Sequence, residues 1–215
     1  VIFYERIGDV FSRKTVINTP TRPHKITYDS ETKAFWSITS YSGEMLKIEV
    51  INNVPELTAT YKIPVIENSY TRSFTILDDG SFLITANNYG IVHTTFSENR
   101  AKLINIYPVP YEFSDLNNIK NTKQGYIVTS NDALGYIREL SEISTMKNQA
   151  QELGFTGSPY YVSVIDDLVV IPEIRNNNSI HILKEADNKL TKVNTTHDSG
   201  PANTDDETEK ARLPK

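Results

Sequence analysis

Arg22 and His24, Tyr70 and Arg72, Glu112 and Asp115, and Tyr160 and Tyr161 hold corresponding places along the chain, each pair at or just before a strand-like run. If those runs are repeats around an axis, the side chains gather at one mouth of a central channel. Arginine, histidine and tyrosine together suit an anionic or carbohydrate-like ligand, through charge-assisted hydrogen bonds and ring stacking. From this set Arg22, His24, Tyr70, Arg72, Asp115 and Tyr160 are the candidate ligand-binding residues. An arginine at such a mouth needs a counter-charge, and Asp115 is the acid placed to supply it. The plainer role for His24 and Arg72 is to bond backbone carbonyls across the junction between repeats. Other chemistries lack their residues. The chain has no cysteine, which removes disulfides, thiol catalysis and Cys-based zinc sites. Its four histidines stand in four contexts with no His-x-x-x-His pair. His93 and His181 share one place in two repeats, which reads as a packing position. No Gly-x-Ser-x-Gly elbow and no glycine loop for a phosphate occurs.

The elements that must position these residues recur. Small residues Gly43, Gly90, Gly135 and Ser179 mark turns spaced by 47, 45 and 44 residues. Each is followed by a β-rich run: 45–50, 91–96, 136–140 and 180–183. A fifth such run, 1–7, opens the chain. Ahead of each marker lies an apolar run (34–39, 81–85, 126–129, 168–171), and ahead of that a further strand ending in a polar turn. Asp79-Gly80 supplies one such tight turn. An outer strand follows the marker strand at 57–63 and 103–107, and Pro20, Pro64 and Pro108 close outer strands at 44-residue intervals. Four antiparallel strands per ~40–50 residues is the pattern of a β-propeller blade. The fold class is therefore all-β, a propeller of four-stranded antiparallel blades. Strands nearest the axis are expected to be buried on both faces and so to read as continuous apolar runs. Trp36, mid-strand, is expected in the core between blades.

The blades fall at 22–66, 70–110, 112–156 and 158–196, with a leading half-blade at 1–21 that lacks its two inner strands. This predicts part of a five- or six-bladed ring. One stretch breaks the pattern. Ile143, Met146, Ala150 and Leu153 repeat at helical spacing, with Ser144 and Gly154 able to cap, so a short helix is expected over 144–153 in place of the third outer strand. Residues 197–215 contain no aromatic residue and predict a disordered tail. The chain opens without an initiator methionine, so an upstream segment is expected to have been removed. The chain itself shows no charged n-region followed by an apolar h-region, so no signal peptide is expected within it, and the compartment stays open between cytoplasm and export.

Composition narrows the partners. With 215 residues, a net charge of −5 and 38% hydrophobic residues, the chain is that of a folded domain with no basic stripe for nucleic acid. No apolar run nears the ~18 residues that cross a bilayer as a helix. The pieces 22–29 (Arg-Pro-His-Lys-Ile-Thr-Tyr-Asp) and 43–48 (Gly-Glu-Met-Leu-Lys-Ile) resemble blades of the NHL and SMP-30/gluconolactonase-like propellers. The resemblance extends over 1–196 as repeat grammar. It implies a divalent cation such as calcium on the axis, held by acid and amide side chains, that polarises a lactone or ester. By position the ligands would be Asp115 with Asn87 or Asn88, Asn131 or Asp132, and Glu173. Arginines at two strand starts oppose a cation. The residues thus favour a non-catalytic binding module, without cofactor, whose partner is a small anionic or carbohydrate-like ligand or a protein. A metal-assisted lactonase or esterase is the alternative.

Overall fold

A computed structural model describes residues 1–19, 22–98, 100–175 and 178–197. The described part of the chain is built of antiparallel strands and three short 3-10 helices. A hairpin of β1 (Ile2–Ile7) and β2 (Val10–Val16) comes first. Four meander sheets follow. The first is β3 (Pro23–Asp29), β4 (Ala34–Thr39), β5 (Glu44–Ile51) and β6 (Val54–Lys62), hydrogen-bonded in chain order. The second is β7 (Phe74–Ile76), β8 (Phe82–Ala86), β9 (Gly90–Ser97) and β10 (Arg100–Tyr107), and the third β11 (Leu116–Asn121), β12 (Tyr126–Ser130) and β13 (Leu134–Ile137). In the fourth, β14 (Ser158–Pro159) and β15 (Ser163–Ile165) both pair with β16 (Leu168–Ile174), which leads to β17 (Ser179–Ala186) and β18 (Lys189–His197).

The core lies between sheets. Side chains alternate along a strand, so a strand covered on both sides must be apolar at every position. On β8, Phe82 and Ile84 pack toward the first sheet with Trp36, while Leu83 packs toward the third with Phe113 and Val128. On β12, Val128 faces the second sheet and Ile127 the fourth, beside Val169 and Leu183. The second strand is thus doubly buried in the first three sheets, whereas β16 of the fourth is buried on one face. Innermost β7 and β11 are buried over most of their length, as expected for strands at the axis, whereas β3 is half exposed, with Ile26 and Tyr28 open to solvent. Trp36 does fill an inter-sheet core, stacked 5.7 Å from Phe96.

Two of the marker glycines have a steric cause. Gly90 has φ +103°, and a Cβ there would strike the Tyr107 carbonyl oxygen. At Gly135 a Cβ would strike Met146. That contact belongs to the segment where the expected helix does not form. The structure has a 3-10 helix at Leu140–Thr145, closed by a capping box of Glu139 and Glu142, and then turns. Asn148 Oδ1 accepts the Leu134 and Ala150 amides, and Gln149 N–H donates to the Leu134 carbonyl. The segment spends its backbone groups on the edge of β13, which a helix could not do. Met146, Ala150 and Leu153 are still buried, as their spacing demanded. The fourth innermost strand, expected over 161–166, is shortened to β15 at 163–165, and the two-residue β14 precedes it. Pro20 and residues 198–215, including nearly all of the expected tail, lie outside the described residues.

Candidate functional site

His24 stands at the start of β3, and Arg72 two residues before β7. The 70–73 segment is fixed against β8: Asn87 N–H donates to the Tyr70 carbonyl at 3.2 Å, and Ser73 N–H to Thr85 Oγ1 at 3.0 Å. His24 Nδ1 lies 3.0 Å from the Arg72 carbonyl oxygen. A carbonyl can only accept, so Nδ1 carries the proton and Nε2 bears the lone pair. The Tyr161 hydroxyl is 3.3 Å from the same Nδ1, which joins the fourth sheet to the first across the axis. Nε2 has no partner among the described residues. Burial lowers the His24 pKa, only partly offset by the Arg72 carbonyl, and the Arg72 charge lowers it further. The imidazole is therefore neutral at neutral pH.

Aromatic rings form a collar around this pair. The Arg72 guanidinium carbon lies 4.7 Å from the Tyr70 ring centre, Tyr41 packs on Tyr70 at 4.8 Å, and the His24 ring meets Tyr70 edge-on at 6.0 Å. Tyr160 and Tyr161 are 4.6 Å apart, and burial pushes the Tyr161 phenol up to about 12, with Tyr160 adding to the effect. The plain role of His24, bonding a carbonyl across the sheet junction, is real, and it fixes the tautomer.

The remaining candidates divide. Arg72 does not find Asp115. Its Nη1 donates instead to Asn117 Oδ1, whose amide is anchored by donating to the Pro159 carbonyl at 3.1 Å. Arg72 Nε is buried without a partner among the described residues. Asp115 is exposed and receives Asn87 Nδ2 at 3.4 Å. Arg22 is exposed, and its carbonyl accepts the Ser40 amide. Asn117 escaped the sequence reading because an amide inside a strand resembles any half-buried polar residue.

The acid and amide set for a divalent cation is gathered only in part: Asn87 and Asn131 lie against Asp115, and the Asn87 Oδ1 is buried without a partner among the described residues. Asn131 N–H donates to the Asp115 carbonyl and Asp132 is exposed. Glu173 is committed elsewhere. Inside the fourth sheet its Oε1 accepts Thr156 N–H and Oγ1, both at 2.8 Å, and Gly157 N–H, while its Oε2 takes His181 Nε2–H at 2.7 Å. Among the described residues no three His, Asp or Glu side chains are grouped as metal ligands would be. With Arg72 at the mouth, these residues do not fit an axial divalent cation.

No protein-family model matches the sequence, and no curated protein is significantly similar to it. Solved structures are similar in fold. A periplasmic gluconolactonase from Pseudomonas aeruginosa superposes with a TM-score of 0.64 at 12% identity, over 93% of this chain and 64% of its own. A gluconolactonase from Xanthomonas campestris gives 0.58 at 7% identity, over 82% and 62%. A β-propeller domain from Myceliophteria thermophila gives 0.60 at 7%, over 82% and 60%. The chain spans about three-fifths of the length of the structures that it matches. Meander sheets stacked face to face, with their first strands at a common axis and this likeness, make the fold that of a β-propeller.

Proposed function

We propose that this chain binds a sugar-acid lactone at the His24–Arg72 mouth and hydrolyses its ester bond without a metal ion. The observation that carries the reading is the tautomer of His24: a neutral imidazole with Nδ1–H tied to the Arg72 carbonyl and an Nε2 without a partner among the described residues. In the step it would catalyse, Nε2 takes a proton from water as the water oxygen bonds the lactone carbonyl carbon. The Arg72 guanidinium faces the developing oxyanion. The ring C–O bond then breaks, its oxygen recovers the proton from the imidazolium, and the hydroxy acid leaves. Tyr70 and Tyr161 supply flat walls for the sugar ring. The gluconolactonase names of two similar structures support the substrate class, through fold alone.

A non-catalytic binding module is the second reading. It is favoured by the fact that a backbone carbonyl, and no carboxylate, orients His24, which leaves it a weaker base. One experiment separates the two. Acid release from glucono-1,5-lactone is followed by pH-stat with the natural chain and with His24→Asn, whose amide nitrogen can replace Nδ1 but not Nε2. The hydrolase reading expects turnover insensitive to chelators, and a fall of about 10²–10⁴-fold in the variant with an unchanged melting temperature. Lactone binding without turnover in the natural chain leaves the binding module.

A further inference from the structure

The innermost strands end at a second mouth, away from His24. There a cavity of about 580 Å³ opens between the β3–β4 and β7–β8 turns, and none of His24, Tyr70, Arg72 or Tyr161 lines it. Lys25 and Lys120 both do. Lys25 Nζ donates to Ser73 Oγ at 3.0 Å and to the Phe74 carbonyl at 2.9 Å, and lies 5.6 Å from the centre of the Phe74 ring. Those partners are neutral. Lys120 Nζ has no hydrogen bond among the described residues, and neither lysine is ion-paired there. Two ammonium groups withdrawn from water face one cavity, and neither is paired with a carboxylate, although Asp29, Glu31 and Asp78 also line it. Burial and the Lys120 charge together draw the Lys25 ammonium down to about 8. An arrangement that costs stability in the free protein is relieved by an anion.

We propose that this second mouth is a binding site for the phosphate monoester of a small polyol, its phosphate held between Lys25 and Lys120. A dianion balances both ammonium groups, whereas a carboxylate would balance one. The volume fits a small molecule rather than a polymer. Asp29, Glu31 and Asp78, also in the lining, accept hydrogen bonds from polyol hydroxyls and repel a larger polyanion. The site is independent of the lactone reading, because it uses none of that mouth's side chains.

Calorimetry with glucose 6-phosphate, inorganic phosphate and gluconate tests it, at low ionic strength and neutral pH. Saturable binding of the two phosphates is expected, with gluconate at least tenfold weaker. Lys120→Met, which keeps the aliphatic stem, should weaken glucose 6-phosphate by about tenfold or more, and Lys120→Arg should restore it. Arg72→Met should leave phosphate binding intact, whatever it does to lactone turnover. Equal affinity in Lys120→Met, loss of binding in Arg72→Met alone, or no saturable phosphate binding in the millimolar range each overturns the site.

Discussion

Buried charge decides how single residues behave in this protein. Glu173 and His181 have side chains only 1% exposed, and Phe155 stacks on the imidazole at 3.8 Å. Glu173→Ala would strand the Thr156 and Gly157 amides and the His181 N–H at once, so it should cost about 3–5 kcal/mol in urea unfolding. Burial works to raise the Glu173 carboxyl. The hydrogen bonds from His181, Thr156 and Gly157 outweigh it and hold the group below its ordinary value of 4.5. A depressed carboxyl stabilises the fold above the unfolded value and loses that contribution as pH falls through the folded one. The deficit of Glu173→Ala relative to the natural chain should therefore shrink below about pH 4.5, which urea titrations across pH 3–6 would read. Lys25 differs in that its charged form burdens the fold, although stability again rises with pH. Its folded pKa of about 8 lies below its ordinary 10.5, so its buried charge burdens the fold at lower pH. The natural chain should gain stability relative to Lys25→Met as pH rises from about 8 to 10.5. Lys120, Asp29, Glu31 and Asp78 line the same cavity, and phosphate bound there should move the Lys25 midpoint upward.

At the scale of elements, the third sheet replaces its outer strand with the turns after Thr145, and Asn148 is the pin. Its Oδ1 accepts two amides and its Nδ2 donates to the Asp132 carbonyl at 3.1 Å. Asn148→Ala should lower stability by about 1–3 kcal/mol and speed hydrogen exchange at the Leu134 and Ala150 amides, with the other sheets unaffected. Unchanged protection there would show that packing of Met146 and Leu153 holds the segment by itself. The same segment shows why the sequence was legible in some places only. The sheets could be read because strand, turn and marker recur at a near-constant interval, and Gly90 and Gly135 are dictated by close backbone or side-chain approach. The expected helix failed because Ile143, Met146, Ala150 and Leu153 give a helical period that an irregular strap, burying the same residues, reproduces equally well. At the mouth, His24, Tyr70 and Arg72 were accessible as repeat-equivalent positions. The preference of Arg72 for Asn117 over Asp115 was not, since it depends on which way β11 turns its side chains about the axis. Nor could Lys25 and Lys120 be paired, because they lie on different strands that only the closed arc brings together.

For the molecule as a whole, the two ends of the arc differ from its interior. Leu168, Val170, Pro172 and Ile174 on β16 and Ile180 and Ile182 on β17 form one face, opposite the buried Val169, Ile171 and Leu183. No sheet covers that face among the described residues, and Ile180 is 45% exposed. At the other end, Tyr4, Ile7, Val10 and Phe11 of the β1–β2 hairpin are exposed as well. Exposed apolar surface of this extent at both ends favours association of copies end to end. We expect the average mass from sedimentation velocity to rise with concentration. Ile180→Lys combined with Ile182→Lys should suppress that rise. Two partly buried isoleucines contribute about 1.5–3 kcal/mol to such a contact, enough to weaken it by roughly one to two orders of magnitude. Both positions point away from the core shared with the third sheet, so the melting temperature of the double variant should stay within a few degrees of the natural chain. A lower melting temperature with unchanged association would mean that these residues stabilise the sheet itself. A natural chain that stays monomeric at high concentration would show that the exposed faces are too twisted to meet, and the end-to-end contact would be abandoned.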